Sequence, residues 1–538
     1  MYSPPVYQAL LTRRYLTSKV MPLLASLAVV LCTAMVLITW SVMGGFLLNL
    51  TQAGRSLIGD VRIAWPNVGF PHYEDLIERL ENHPEVEAAS PLIETFGMIT
   101  LLENRTEGIL IRGIEGESFA RVTNYADTLW WKPLDEPMQK DKAGDDVRLE
   151  PGDRNLLQRV YDDGLSLTEI DPDTGVRESA LVLGIEVGGW NVRTDWGGYY
   201  PRVQFITGSD GSSEMQNLFM PAGGELTVLV VPLDSRGRPM EAVTARLPVA
   251  NEFESGLYDV DRQTVLMDIK ALQRMLRMHS AKRVVRSGQD EADPLGGFFE
   301  EDGTDNGSAQ PEIVEDPARV TAVLVKQADP DGDVEAFRER CRAIYAEFAA
   351  AHPDVPSASS IGVETWEDAN RMMIGAVKKE TGLVLIIFTF ISFTAVFLVF
   401  AIFWAMISEK TKDIGVLRAL GASRMGVAWV WLRYGLAIGV VGSLFGGLLA
   451  WAIVTNINEI HEGIALSGDW LGRTLTGTPW NWYIWDPKVY VFKEIPHSIE
   501  PWKAAFVLVG GLLSCLLGAL LPAARAARMH PVQALRFE

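Results

Sequence analysis

EKTKDIGVLRALGAS, residues 409–423, is a short charged segment wedged between two long apolar runs. Residues 382–408 ahead of it contain no charged side chain, and residues 434–458 behind it carry none before Glu459. The hydrocarbon core of a bilayer takes about 20 residues of apolar helix. The segment therefore reads as a tight turnaround between two membrane helices. Its own pattern predicts a short helix. Ile414, Leu417 and Leu420 recur at three-residue steps and share one side, while Lys410, Lys412, Asp413 and Arg418 project elsewhere. Gly421 follows the last apolar position, where helices commonly stop. A short amphipathic helix at a membrane surface has two readings: an interfacial anchor for a loop, or a docking element for a cytoplasmic partner. The residues alone leave both open.

Working outward, the run behind the turnaround spans 427–455, and two further apolar runs stand at residues 21–50 and 504–521 of the 538-residue chain. Charged residues make up 22%, too many for a membrane bundle throughout. Charge placement gives a topology. Residues 1–20 carry Arg13, Arg14 and Lys19 and no acid, a net of +3. The turnaround through Arg433 is also +3, and the tail after Leu521 is +2. The chain as a whole is −20, so the remainder carries −28. Basic flanks stay in the cytoplasm. The expectation is a membrane protein with four transmembrane α-helices, at 21–50, 382–408, 427–455 and 504–521. Residues 1–20, the turnaround 409–423 and the tail 522–538 fall in the cytoplasm. A large α+β domain, 51–379, and a smaller loop, 456–503, fall outside. The acidic excess argues against nucleic acid as a partner.

The first run follows two arginines, as a signal peptide's would, but it is too long for an h-region of about 7–15 residues, and SVMGGFLLNL lacks a clear cleavage site. It reads as a retained helix, with Gly44 and Gly45 allowing close packing or a bend near its outer end. Of the cysteines Cys32, Cys341 and Cys515, only Cys341 lies in the polar part, so no internal disulfide staples that domain.

Within the outer domain, residues 51–123 read as β-α-β-β, with strands at 60–64, 86–102 and 108–114 and a helix at 73–80. A related pattern returns with a strand at 320–326, a helix at 334–351 and a strand at 359–365. The simplest assembly joins these two ends into one lobe and leaves 124–318 as an inserted, mainly β lobe. That middle holds strand-like stretches at 180–186, 225–232 and 243–249 and a helix at 268–278. Residues 131–173 read as loop. Residues 287–317 are acidic and Gly-rich and read as disordered, an ordinary solvated acidic run.

In the third apolar run, Gly435, Gly439, Gly442 and Gly446 stand at i, i+4, i+7 and i+11, along one face. Small residues in such register let another helix backbone approach closely. That fits ordinary packing inside the chain or a sliding interface, and the sequence does not separate them. The loop 456–503 is rich in Trp470, Trp480, Trp482, Tyr483 and Trp485, which suits the headgroup level of a membrane.

Chemistry is sparse. The seven histidines are scattered without metal-binding spacing, and there is no C-x-x-C, no G-x-S-x-G and no phosphate-binding loop. No catalytic residue, cofactor site or metal site is expected. No ionisable group sits deep in an apolar run, which argues against an ion-coupled transporter. A membrane protein with a docking helix and no engine borrows energy from a partner.

At this point the motifs resemble a known family. EKTKDIGVLRALGAS closely resembles the cytoplasmic coupling segment of the FtsX/MacB/LolC superfamily of ABC-transporter permeases. RRYL with the following run to SVMGGF, GLYDVDRQTVLMDIKALQRML, TWEDANRMMIGAVKKE, WDPKVYVFKEIP and PVQALRFE are similar, in order, to stretches of the lipoprotein-releasing LolC/LolE branch. The resemblance implies a non-catalytic permease subunit in the inner membrane, with a MacB-like periplasmic domain made of a porter-like lobe and an inserted, mainly β lobe. Its partners would be a separate ABC ATPase, which uses ATP and Mg, and a second permease chain in a homo- or heterodimer. A lipoprotein substrate, a periplasmic carrier and membrane lipids complete the set. Glu409, Lys410, Asp413, Ile414, Leu417, Arg418 and Gly421 match the family's docking segment. Two alternatives remain: mechanotransmission of the MacB or FtsX kind for efflux or cell-wall hydrolase control, and a membrane receptor or scaffold without an ATPase.

Overall fold

A computed structural model describes residues 20–55, 57–133, 151–171, 174–193, 198–207, 213–221, 223–234, 237–285, 312–330, 332–369, 371–478, 480, 485 and 495–532. The chain forms two compact units, residues 51–371 and residues 1–50 with 372–538.

The first unit, the head, is organised by a nine-stranded sheet. In chain order its strands are β1 (Val61–Ala64), β2 (Val86–Thr100), β3 (Thr106–Ile114), β4 (Leu181–Gly184), β5 (Glu225–Val230), β6 (Val243–Phe253), β7 (Thr264–Asp268), β8 (Ala322–Gln327) and β9 (Gly362–Thr365). They lie in the order β5-β6-β4-β7-β3-β2-β8-β1-β9. The strand β8 shows why the sheet is central. Val323 and Val325 enter one core and Ala322 and Leu324 the other, as period-2 alternation requires. The helix α2 (Tyr73–Glu81) covers the first core with Leu76 and Leu80. The helix α3 (Val334–Ala351) adds Phe337, Cys341, Tyr345 and Phe348, close to one helical face. Asp333 caps α3 by accepting from the Glu335 N–H at 3.0 Å.

The two expected lobes are not separate. Strand β2 is 15 residues long and serves both. Its first half pairs with β8, and Leu92–Thr100 pairs with β3. Beyond that, Gly97–Thr100 pairs with β5. This last pairing closes β2-β3-β7-β4-β6-β5 into a ring. The strands of the middle region therefore extend the sheet of the two ends instead of forming an independent insertion. Gly97 makes the closure possible. A Cβ there would meet Ile111 Cδ1 at 2.5 Å and the Leu229 carbonyl oxygen at 2.7 Å.

Two further expectations are corrected. Within the stretch read as loop, Pro151–Ser166 is a helix and Thr168–Ile170 a strand; residues 134–150 lie outside the described residues. Of the stretch read as disordered, Glu312–Asp316 is a strand paired antiparallel with Ala281–Val285. Residues 286–311 lie outside the described residues. The pairing partner lies ahead of the acidic run, so local composition does not reveal it.

A partly buried group of three charges lies on the head's sheet. Glu94 on β2 accepts from Arg112 Nε at 2.9 Å and from Arg62 Nη1 at 2.7 Å. Burial pushes its carboxyl up, but Arg112 and Arg62 outweigh this and hold it below the usual range. Breaking a fully buried pair costs about 3–5 kcal/mol. Here the loss is smaller, since the Glu94 side chain keeps 21% exposure. On the opposite sign, burial lifts the Asp261 carboxyl to about 7, against hydrogen bonds from Ser255. Its unfolded value is about 3.9. The native state thus holds the proton more tightly, and head stability falls as pH rises from about 4 to about 7. Asp261→Asn keeps an acceptor for the Ser255 N–H, which now donates at 2.7 Å. The expected result is a shallower fall of the unfolding temperature across that window, read by thermal unfolding of the whole chain at stepped pH.

The second unit contains helices long and apolar enough to cross a membrane, within α1 (Val20–Arg55), α4 (Arg371–Glu409), α6 (Arg424–Thr455) and α8 (Pro501–Arg528). All four match expected runs and extend past them. The loop expected at 456–503 is in part a helix, α7 (Ile457–Thr476). Of its aromatic cluster, Trp470 is exposed, while Trp482 and Tyr483 lie outside the described residues. The motifs RRYL and most of WDPKVYVFKEIP and PVQALRFE also lie outside them.

Candidate functional site

The turnaround folds as a helix, α5 (Thr411–Ala419), held at both ends. The chain leaves α4 at Glu409, and Lys410 breaks the run with φ −94° and ψ 14°. Thr411 Oγ1 donates back to the Ser408 carbonyl at 2.8 Å, and Lys410 Nζ meets Asp413 Oδ2 at 3.0 Å. Asp413 sits in the first turn and Arg418 in the last, each matching the helix dipole. At the exit Gly421 takes φ +96°, and no atom lies within 4 Å of where its Cβ would be. Glycine is needed there for its backbone freedom, not for space. The Ala422 N–H donates to the Leu417 carbonyl at 3.0 Å, and Arg418 Nη1 donates to the Ala422 carbonyl at 3.2 Å. Ser423 then caps α6, its hydroxyl accepting from the Gly426 N–H at 3.0 Å.

The apolar residues of α5 divide. Ile414 is buried and joins a core with Val29 of α1, Phe403 and Ile407 of α4, Trp431 and Tyr434 of α6, and Cys515 and Ala519 of α8. Leu417 is half-buried, and Leu420 is 81% exposed. The expected shared side is therefore wrong. A three-residue step falls about 60° short of a full helical turn, so Leu420 drifts far around from Ile414. Instead Leu420 pairs in register with Val416, four residues earlier, which is 47% exposed. Met425, 76% exposed, follows just past the turn. Val416 and Met425 are not among the residues expected from the sequence. The signal for Val416 was its i, i+4 spacing to Leu420.

Behind α5 the helices are tightly joined. The glycine line of α6 splits in two. A Cβ on Gly435 or Gly439 would meet Ala519, Leu512 or Cys515 of α8. A Cβ on Gly442 or Gly446 would meet Val29, Val30 or Thr33 of α1. All four glycines are buried against helices of this same chain, which matches the intrachain packing reading. The Arg525 guanidinium of α8 lies 4.0 Å over the Trp404 ring of α4.

A cavity of about 380 Å³ opens between α1, α4 and α8. Its lining includes Val36, Trp40, Leu385, Phe388, Phe506 and Val507, and no charged residue. Two of its four hydroxyls bond the backbone of their own helices: Thr389 donates to the Leu385 carbonyl at 2.9 Å and Ser514 to the Gly510 carbonyl at 2.9 Å, while Thr33 and Ser392 also line the space. What remains is an apolar slot suited to hydrocarbon and hostile to an ion.

In the head, the buried carboxylate of Glu252 accepts from Trp131 Nε1, Trp190 Nε1 and Asn191 Nδ2 at 2.6, 2.7 and 2.8 Å. Burial raises its pKa against those bonds. This is a structural knot with no nucleophile in it. Metal-ligating side chains converge at one place among the described residues, at His72, His352 and Asp354.

Comparison with known proteins adds the following. Residues 385–531 match the family model of the FtsX-like permease C-terminal domain. The lipoprotein-releasing system transmembrane protein LolC of Xylella fastidiosa is 20% identical over 514 residues, 95% of this chain and 92% of that protein. LolC of Neisseria meningitidis serogroup B is 22% identical over 508 residues, 94% of this chain and 91% of that protein. The transmembrane protein LolE of the same system in Haemophilus influenzae is 29% identical over 130 residues, 24% of this chain and 28% of that protein.

Proposed function

We propose, from the premise that this is an FtsX/LolC-family ABC permease, that the chain couples ATP hydrolysis by a separate ATPase to lipoprotein release from the inner membrane. One observation carries the coupling role. The helix α5 is capped at both ends, anchored by Ile414 in the four-helix core, and presents Val416 and Leu420 outward. A push received on that face passes into the bundle because Ile414 is packed there and interiors resist compression.

The docking residues divide by role. Val416 and Leu420 would supply apolar contact, and Lys412 with Asp413 the polar rim. Glu409, Lys410, Arg418 and Gly421 would hold the shape, with Ile414 and Leu417 joining it to the bundle. The apolar slot between α1, α4 and α8 suits an acyl chain, in keeping with a lipid-linked cargo. In this reading both chain ends and α5 face the cytoplasm, the head faces the periplasm, and a second permease chain completes the assembly. ATP and Mg belong to the partner ATPase.

The test is release of a radiolabelled acylated lipoprotein from vesicles containing this chain and its ATPase, with a soluble acceptor outside. ATP-dependent transfer of the acylated form, and none of a non-acylated one, is expected. Indifference to acylation would overturn the lipoprotein assignment.

A further inference from the structure

The head brings together two histidines that lie far apart in sequence. His72 precedes α2 with a left-handed backbone, φ 59° and ψ 25°. His352 closes α3, and Asp354 follows two residues later. The two imidazole rings stack, with centroids 4.4 Å apart and planes at 18°. His72 Nε2 lies 2.9 Å from Asp354 Oδ2. One donor atom from each of His72, His352 and Asp354 lies within 4.8 Å of the other two. Behind them Asp75 meets His352 Nε2 at 2.9 Å and accepts from Arg79 Nε at 2.9 Å. Phe348, fully buried, braces the His352 ring at 4.9 Å between centroids.

Two imidazoles and one carboxylate suit a borderline divalent ion, Zn²⁺ foremost, whereas Mg²⁺ and Ca²⁺ prefer oxygen alone. Tetrahedral bonds of about 2.0–2.1 Å place donors about 3.4 Å apart. The pair His72–Asp354 is already closer than that, and side-chain rotation can draw in His352. The side chains keep 33%, 25% and 52% exposure, so an ion has an entry path and water can complete the shell. A carboxylate behind a ligating imidazole fixes its orientation and raises its basicity, which is the place Asp75 occupies.

We propose that His72, His352 and Asp354 form a binding site for a Zn²⁺-class ion, supported by Asp75, which staples the start of α2 to the end of α3. The site stands independently of the transport reading.

The test uses the whole chain in detergent, carrying an affinity tag without histidine and stripped with chelator. Co²⁺ is titrated as an optical probe and Zn²⁺ by calorimetry. One equivalent of Co²⁺ should bind with the intense visible bands of a tetrahedral site, be displaced by Zn²⁺ and resist Mg²⁺. Zn²⁺ should raise the unfolding temperature. Asp354→Ala and His352→Gln should each weaken binding by more than tenfold, and Asp75→Asn by about 10–100-fold. Asp354 is more than half exposed, so its variant should unfold at the parent's temperature without metal. No stoichiometric uptake by the parent, or an affinity equal to the parent's in either ligand variant, would overturn the proposal and leave two imidazole–carboxylate pairs.

Discussion

Leu420→Asp is expected to leave the chain folded and inserted while nearly abolishing its effect on the ATPase proposed as its partner. Leu420 is 81% exposed, so the substitution creates no cavity and buries no charge in the free protein. At a docking face it does the reverse. An apolar anchor is lost, and a carboxylate must be desolvated against a groove shaped for hydrocarbon. Interface anchors are commonly worth about 2 kcal/mol or more, which is at least about 30-fold in affinity. Val416→Asp should act in the same direction. Leu417→Asp is a poorer probe, because Leu417 is half-buried and its loss mixes packing with docking. The readout is the ATPase rate and co-purification of the partner, with membrane extraction as the control for insertion. An ATPase response equal to the parent's in Leu420→Asp would mean that α5 is only an interfacial anchor.

Gly446→Val is expected to break the bundle itself. A Cβ at Gly446 would stand 2.8 Å from the Val30 carbonyl oxygen and 2.9 Å from Thr33 Cβ, both on α1. The first contact is backbone and cannot swing aside, so α6 and α1 must separate. Overpacking of this kind costs about 1–3 kcal/mol or more, and valine's extra methyls push it to the high end. The unfolding temperature in detergent should fall sharply, along with the yield of extracted protein. Gly510→Ala is the matched control. Nothing lies within 4 Å of its Cβ position, and alanine favours helix over glycine, so stability should hold or rise slightly. Equal unfolding temperatures for Gly446→Val and the parent would show that α1 does not pack on this face.

These two sites also show what the residues alone made legible. Long uncharged runs announce themselves, because a bilayer-length helix needs no partner to be recognised, and all four expected runs are helices. The glycine line was visible from spacing, but its division between α8 and α1 depends on where those helices stand. Helix α3 was readable at 334–351 because Phe337, Cys341, Tyr345 and Phe348 repeat at its period. The ring of β2-β3-β7-β4-β6-β5 was not readable, since its closing pair joins Gly97–Thr100 to Thr227–Val230 across more than a hundred residues. Helix Pro151–Ser166 was missed because its mixed charges and Gly164 resemble a loop. Helix α7 was missed because Gly463, Gly468 and Gly472 interrupt its amphipathic face and Trp470 belongs to the aromatic cluster read as loop. On α5, three-residue spacing suggested one shared face, and the 3.6-residue turn divided it. His72 and His352 carry no motif at all, and only the packing of α2 against α3 brings them together.

In the proposed coupling, the chain carries no engine and transmits work done by another subunit. The direct measurement is nucleotide hydrolysis by the purified chain, alone and in complex with its ATPase. The expected result is background hydrolysis alone, and in the complex a rate that rises with cargo and loses that response in Leu420→Asp. Hydrolysis that follows the isolated chain through purification would contradict it.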